Sequence, residues 1–322
     1  MRASLVLRGT WDSVCQRALE YAQESYSKYG IRLTLRALFY YLSDAEGLIR
    51  HTQIAYKKLS EKFARYRERH GQIDVLQDTT RSIRKFCILE TIEPREWLKW
   101  SIRRTLLLFD GIWRLPRWYG QKYYVIIFIE KETITLIEEI ARDYEVDAFP
   151  TRGFSSVTKM WEVATSLRDI NENYNKNIVV LSLTDFDPSG VFIERDYRRK
   201  LVRYGAINYE IERVCMKPEH IREYDLPAIP HDDPKAERIK KDPRYPVWLK
   251  LCEEMGVRSE VVELDAFAGL RPREFRELIV SHINKYFDNE LERKRKEEEE
   301  RRKKEVEKLK EEFQNRLKDL LD

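Results

Sequence analysis

The chain has 322 residues and a formal net charge of +4, which is enough length for two modest domains with separate cores. No apolar run is long enough to cross a bilayer, and no signal-peptide core is present, so we expect a cytoplasmic protein without a membrane partner. The four cysteines show neither metal-ligand nor disulfide spacing, so a zinc site and a disulfide framework are not expected.

Charge is distributed unevenly along the chain. Residues 1–120 contain 22 Lys and Arg against 13 Asp and Glu, whereas residues 121–288 contain 26 against 31 and residues 289–322 contain 12 of each. A basic N-terminal third beside an acidic middle fits a phosphate-binding part next to a cation-binding part. Basic surfaces also occur on proteins that bind no nucleic acid, so both alternatives remain open.

The first third of the chain is predicted to be helical. Apolar residues recur at helical spacing in three segments, and a short β-rich stretch and a fourth helix follow. These elements are expected at 10–29, 33–44, 51–70, 73–86 and 94–109. The tight connection at 45–47 makes the second and third helices resemble a helix-turn-helix, and the β-rich stretch could form its wing. We therefore predict a winged-helix domain over residues 1–112.

The middle of the chain alternates strands and helices, which predicts a parallel α/β sheet in a domain over residues 113–288. Strands are expected at 123–129, 146–149, 177–184 and 207–214, with helices at 131–143, 155–168 and 190–203. A loop at 218–246, a last strand at 261–264 and a helix at 275–287 complete this domain. Alternating blocks of like charge from residue 289 predict an exposed charged helix as a C-terminal tail over residues 289–322.

Three acidic residues follow two of the predicted strands. The apolar strand at 177–184 runs directly into Asp185 and Asp187, and the strand at 123–129 delivers Glu130. Parallel strands end at the same edge of a sheet, so the three carboxylates could share one Mg²⁺ ion. Each acid could instead cap or begin the helix that follows it. We favour the metal site because the acids recur together.

These residues resemble a known family. The similarity includes the acids and their neighbours, a Pro-Thr-Arg-Gly segment between them, the Val-Glu-Leu-Asp-Ala-Phe segment, and Leu-Arg-Ala-Leu-Phe-Tyr-Tyr near the N-terminus. These segments occupy 129–131, 149–154, 184–190, 262–267 and 35–41. They are similar to the Toprim and winged-helix segments of the A subunit of topoisomerase VI, a type IIB DNA topoisomerase, and of the meiotic double-strand-break proteins. The short stand-alone topoisomerase mini-A group of archaeal viruses and plasmids is the most similar in organisation.

The resemblance implies a reactive tyrosine four residues after an arginine, which selects Tyr40 after Arg36 and leaves Tyr41 as the fallback. Positions i and i+4 share one face of a helix, so Arg36 and Tyr40 could meet the same phosphate. Because the pKa of tyrosine is about 10, a nearby cation is needed to favour the phenolate. An aromatic core stripe is the alternative explanation for these rings.

The resemblance further implies magnesium-dependent DNA cleavage through Tyr40, with Mg²⁺ held by Glu130, Asp185 and Asp187. Double-stranded DNA would be contacted by arginines of both domains, namely Arg65, Arg67, Arg69 and Arg152. A homodimer is implied, since relatives combine the tyrosine and the Toprim acids from different protomers, and any ATP-driven step would need a separate ATPase subunit. Two alternatives remain: a DNA-binding and DNA-bridging protein with little or no cleavage, and a Toprim nuclease that does not use the tyrosine. All three functions imply that the protein associates with the nucleoid.

Overall fold

The structure is a computed structural model that describes residues 9–70, 76, 114–129, 131–150 and 157–318. The chain divides into two compact units, Met1–Thr80 with Lys122–Phe287, and Arg81–Gln121 with Asp288–Asp322. The predicted wing at 73–86, the predicted helix at 94–109, Glu130 and Arg152 lie outside the described residues, apart from position 76. The proposed boundaries at 112 and 288 stay predictions.

Helices form the N-terminal part of the first unit, as the sequence predicts. They are α1 (Trp11–Tyr29), α2 (Leu35–Tyr40) and α3 (Gln53–His70). Thr10 caps the start of α1 with its side chain, and Gly30 ends the helix in the left-handed conformation at φ 63°. A single π-helical turn at Tyr41–Ala45 follows α2 directly.

A four-stranded parallel sheet forms the centre of the first unit, which confirms the predicted α/β class. Its strands are β1 (Tyr123–Ile129), β2 (Asp147–Pro150), β3 (Asn177–Leu183) and β4 (Tyr209–Cys215). The order across the sheet is β2-β1-β3-β4, and all neighbours run parallel. The connecting helices are α4 (Glu138–Tyr144, after a 3₁₀ turn), α5 (Val157–Tyr174) and α6 (Pro188–Arg203).

One face of the sheet packs against α5 and α6. Side chains two residues apart on a strand share a face, so Ile126 and Phe128 point to the same side, and Val180 points there too because it pairs with Ile126 across the sheet. They are fully buried against Leu167 of α5 and Tyr197 of α6, among other apolar residues. This core fixes the position of the carboxyl ends of β1 and β3, where the predicted acids follow.

The segment after β4 differs from the prediction. The expected loop at 218–246 contains two short helices and the start of a third, which are α7 (Pro218–Glu223), α8 (Pro234–Ile239) and α9 (Tyr245–Glu254). Each has a proline in its first two positions, but α7 and α8 have six residues each, which are too few to show a helical period.

The expected strand at 261–264 is also wrong. Val262 makes only one antiparallel bridge, with Phe186, and helix α10 (Leu264–Leu270) begins at once, followed by α11 (Pro272–Lys285). A short apolar run fits either type of element, and here the following residues extend it as a helix.

The described part of the second unit consists of residues 114–121, Asp288 and helix α12 (Asn289–Lys318). Leu115 donates its amide hydrogen to Glu299 at 3.0 Å, and Arg295 donates to the Leu115 carbonyl at 2.8 Å. Ion pairs one turn apart, such as Arg293 with Glu297 at 2.8 Å, run along the helix as its charge pattern predicts.

Candidate active site

Asp185 and Asp187 lie in the turn between β3 and α6 and are largely buried. Asp187 Oδ1 accepts a hydrogen bond from the Gly190 amide at 2.6 Å, so this carboxylate caps α6. A Cβ on Gly190 would lie 2.1 Å from the Asp185 carbonyl oxygen, so only glycine allows the helix to start this close. Burial and the neighbouring Asp185 carboxylate raise the pKa of Asp187.

The bridge between Phe186 and Val262 brings a second segment to these acids. The Phe186 amide donates to the Val262 carbonyl at 2.8 Å, and the Leu264 amide donates to Asp185 Oδ1 at 3.0 Å. Between the two contacts lies Glu263, whose side chain is 12% exposed. The segment that contains Glu263 therefore brings a third carboxylate close to Asp185 and Asp187.

Lys235 places its ammonium group among these carboxylates. Its Nζ lies 2.8 Å from Asp185 Oδ2, 3.2 Å from Glu263 Oε1 and 4.0 Å from Asp187 Oδ2. Lys235 belongs to α8, in the segment for which the sequence predicts only a loop. Burial alone would lower the pKa of Lys235, but the Asp185 and Glu263 carboxylates outweigh burial and raise it, so the group stays charged.

Tyr40 and Arg36 meet at the same Glu263 carboxylate. The Tyr40 hydroxyl donates to Glu263 Oε2 at 3.0 Å, and Arg36 Nε donates to the same oxygen at 2.7 Å. The Arg36 guanidinium carbon lies 5.5 Å from the centroid of the Tyr40 ring. The expectation that both side chains share one helix face is confirmed.

Tyr40 has no solvent-exposed surface. Burial raises the pKa of its hydroxyl, and the Glu263 carboxylate raises it further, which together outweigh the opposite effect of Arg36. The other nitrogens of Arg36 also have partners, with Nη2 2.8 Å from Asp233 Oδ2 and Nη1 3.2 Å from Gln53 Oε1. In this conformation the guanidinium and the hydroxyl both face protein groups rather than solvent.

Close packing against α10 holds α2, the helix that carries Tyr40, beside Glu263. A Cβ on Gly269 would lie 2.3 Å from the Ala37 carbonyl oxygen, so the two helix backbones are in direct contact. Thr34 accepts a hydrogen bond from the Ala37 amide at 3.0 Å and donates its own hydroxyl to Asp265. Burial, aided by Glu263, raises the pKa of Asp265 to about 7.

Tyr41 lies apart from this cluster. Its ring stacks on Tyr21 with centroids 3.4 Å apart and planes 6° from parallel. Its hydroxyl contacts Arg17 and Glu46, which are both partly exposed. The fallback tyrosine therefore has an arginine and a glutamate beside it, but neither belongs to the group that contains Asp185 and Glu263.

The three predicted DNA-contacting arginines of α3 do not share one face. Each residue advances about 100° around a helix, so Arg67 lies about 200° from Arg65. Arg65 and Arg69 are exposed, and Arg69 pairs with Asp12 at 2.8 Å. The guanidinium of Arg67 lies 5.4 Å from the centroid of the Phe63 ring, on the inner side of the helix.

The described residues fit a hard cation in their chemistry but surround an ammonium group. Asp185 and Asp187 each direct one carboxylate oxygen towards Lys235 Nζ, and oxygen ligands are those that Mg²⁺ prefers. Within the described residues, no three His, Cys, Asp or Glu side chains are grouped as a metal site, and Glu130 lies outside them. Lys235 thus stands where a cation would be shared by the acids.

Sequence reasoning missed four residues of this cluster: Gln53, Asp233, Lys235 and Glu263. Glu263 lies in a segment whose resemblance to the family is recognisable, so its position carried a signal. Lys235 and Asp233 carried none, because their contacts depend on how the segment after β4 folds back.

Comparisons of the chain with protein-family models, curated proteins and solved structures gave no match. None of the described helices combines the length and apolar composition needed to traverse a lipid bilayer.

Proposed function

We propose that this protein is a DNA-cleaving transesterase of the topoisomerase VI A-subunit type, with a winged-helix part that carries Tyr40 and a Toprim-like part that carries the acids. One observation supports this above all. Tyr40 and Arg36 share a carboxylate oxygen of Glu263, and the other oxygen of Glu263 is joined through Lys235 to Asp185, with each contact at 3.2 Å or less. A capped helix start alone would not bring a tyrosine to these acids.

In the proposed reaction the Tyr40 oxygen forms a bond to phosphorus, and the bond from phosphorus to the 3′ oxygen breaks. Tyr40 then carries the 5′ phosphate, and the 3′ oxygen leaves as a hydroxyl, so that the proton it takes up balances the one that Tyr40 gives up. Glu263 Oε2 accepts the phenolic hydrogen bond at 3.0 Å, so it is placed to take the proton of Tyr40. Arg36 would neutralise charge on the phosphate once that group reaches it.

Glu130, Asp185 and Asp187 would hold Mg²⁺, which would supply a positive charge beside the scissile phosphate and the leaving oxygen. The carboxylates of this group supply only oxygen donors, as Mg²⁺ requires. The contacts of the two aspartates divide their roles: Asp187 keeps one oxygen on the helix cap, and Asp185 keeps one on the Leu264 amide. Each retains a second oxygen for the cation.

Cleavage requires a change from the conformation described above. Tyr40 is fully buried. The guanidinium nitrogens of Arg36 that would bind a phosphate already pair with Asp233 and Glu263. A DNA phosphate therefore has to displace these carboxylates from Arg36. Charge-assisted bonds from arginine to phosphate are comparable to those with carboxylates, so the exchange is chemically reasonable.

Tyr40 and Asp185 belong to one network within a single chain, so a second copy is not needed to bring them together. We keep the homodimer as part of the proposal because two copies would cut two strands. Double-stranded DNA as substrate, a separate ATPase subunit, contacts from Arg65, Arg67, Arg69 and Arg152, and association with the nucleoid follow from the same resemblance.

A second function is favoured by the burial of Tyr40. If the carboxylates never leave Arg36, the protein would bind and bridge DNA without cutting it. Binding of this kind would rely on exposed basic residues such as Arg65 and Arg69, and it would weaken steeply with salt.

Covalent capture distinguishes these functions. Internally labelled duplex DNA is incubated with the protein and Mg²⁺ and then denatured, and protein-linked DNA is counted. We expect adducts with the wild type and with the matched control Tyr41→Phe, and none with Tyr40→Phe or Asp185→Asn.

Adducts that persist in Tyr40→Phe would refute the proposed nucleophile. Nicks without adducts that persist in Tyr40→Phe and disappear in Asp185→Asn would identify a Toprim nuclease. Salt-sensitive binding with neither nicks nor adducts would identify the bridging protein.

A further inference from the structure

The charges of the described cluster do not balance. Five ion pairs connect four carboxylates, those of Asp185, Asp187, Asp233 and Glu263, with only two cations, Arg36 and Lys235. The four carboxylates are largely buried, so solvent screens them little. Within these five pairs the carboxylates exceed the cations by two, and a divalent cation would neutralise that excess.

Lys235 already holds the position that such a cation would take. Asp185, Asp187 and Glu263 all approach its Nζ within 4.0 Å. We propose that Lys235 is a resident cation that competes with a divalent metal ion for these carboxylates, so that metal binding releases Lys235. This inference rests on the metal site of the proposed function and adds its regulation.

The two cations exclude each other for steric and electrostatic reasons. Mg²⁺ binds oxygen at about 2.1 Å, so the Asp185 oxygen that now contacts Nζ at 2.8 Å would have to turn to the metal. An ammonium group left beside the ion would repel it in a site with little solvent. Lys235 must therefore swing away when the metal binds.

Release of Lys235 would also loosen the cover over Tyr40. Lys235 follows Asp233 by two residues, and Asp233 Oδ1 caps α8 at the Lys235 amide while Oδ2 binds Arg36. Helix α8 thus supplies the ammonium group on Asp185, and its N-cap residue supplies a carboxylate on Arg36. Metal binding at the acids and access of a phosphate to Arg36 are coupled through α8.

Amine labelling of the wild-type protein tests the release directly. The protein is treated with an amine-acetylating reagent with and without saturating Mg²⁺, and acetylation of each lysine is followed by mass spectrometry. Lys235 should react slowly without the metal and several times faster with it, whereas Lys250, an exposed lysine on α9, should not change. Equal or slower labelling of Lys235 with Mg²⁺ would overturn the proposal.

Metal affinity gives a second test that does not depend on cleavage. Mn²⁺ binding is measured by equilibrium dialysis for the wild type, Lys235→Met and the matched control Lys250→Met. Loss of the competing charge should tighten binding by at least about tenfold in Lys235→Met, with no change in the control. The gain should disappear when Asp185→Asn is added.

Unchanged or weaker Mn²⁺ binding in folded Lys235→Met would overturn the competition, and the labelling result decides if this variant does not fold. Both measurements are separate from covalent capture. A protein that releases Lys235 on metal binding but forms no adduct would refute the cleavage function and leave the competition intact.

Discussion

The substitution Asp265→Asn tests whether the carboxyl group beside the N-cap of α2 has a raised pKa in the folded protein. Asp265 is buried beneath Thr34, the residue that caps α2, and its pKa is raised from 3.8 to about 7 by burial and by Glu263. A carboxyl whose pKa is raised by folding binds its proton more tightly in the folded state. The stabilisation that this bound proton adds to the free energy of unfolding is therefore fully present below pH 3.8 and is lost as the pH rises to about 7.

The size of the effect follows from the shift. Roughly three pKa units at 1.36 kcal/mol per unit correspond to about 4 kcal/mol, of which about 2–3 kcal/mol is lost between pH 5 and pH 8. Asn keeps the acceptor for the Thr34 hydroxyl and cannot ionise. The free energy of unfolding of Asp265→Asn should therefore fall less than that of the wild type over this range.

Urea denaturation at pH 5 and pH 8 measures this difference. The control is Asp169→Asn, which changes an exposed aspartate on α5 and should keep the pH dependence of the wild type. Parallel stability profiles for wild type and Asp265→Asn would refute the reasoning, because they would mean that Asp265 ionises as easily in the folded chain as in the unfolded one.

Three further substitutions test the packing and charges of the site. Gly269→Ala should lower the free energy of unfolding by about 1–3 kcal/mol in urea, because its Cβ would meet the Ala37 carbonyl, and an unchanged value would contradict the close helix contact. Glu263→Ala should lower the free energy of unfolding by about 1–3 kcal/mol by calorimetry, because it removes the acceptor of the buried Tyr40 hydroxyl and one carboxylate partner each of Arg36 and Lys235. Glu263→Gln keeps an acceptor oxygen and should cost less, and equal losses would argue against these hydrogen bonds. Asp187→Asn should raise the midpoint of thermal unfolding at neutral pH, because Asn keeps the cap of α6 and removes a charge that repels Asp185, and a lower midpoint would oppose this.

The sequence was a good guide to elements with a clear period. Strand β1 occupies the predicted 123–129 without any shift, and β3 differs from its prediction by one residue. The reason is physical: both strands are buried on both faces and are therefore continuous apolar runs. The acids that follow β3 could be placed at a sheet edge for the same reason.

The arrangement of the site could not be derived in the same way. Arg36 and Tyr40 share a face because both lie on one helix, and this local relation was predictable. Their partners Glu263 and Asp233 are about 200 residues away in sequence, and Lys235 follows a segment without any helical period. Such contacts are set by tertiary packing, here by the close approach of α10 to α2 at Gly269.

The central claim is that Tyr40, rather than its neighbour, carries the DNA during cleavage. Adducts formed with Mg²⁺ can be digested with nuclease and protease, and the modified peptide can be sequenced by mass spectrometry. We expect a nucleotide on Tyr40 and none on Tyr41. A nucleotide on Tyr41 or on any other residue, or a complete lack of modified peptide from protein that binds DNA and Mg²⁺, would contradict the account.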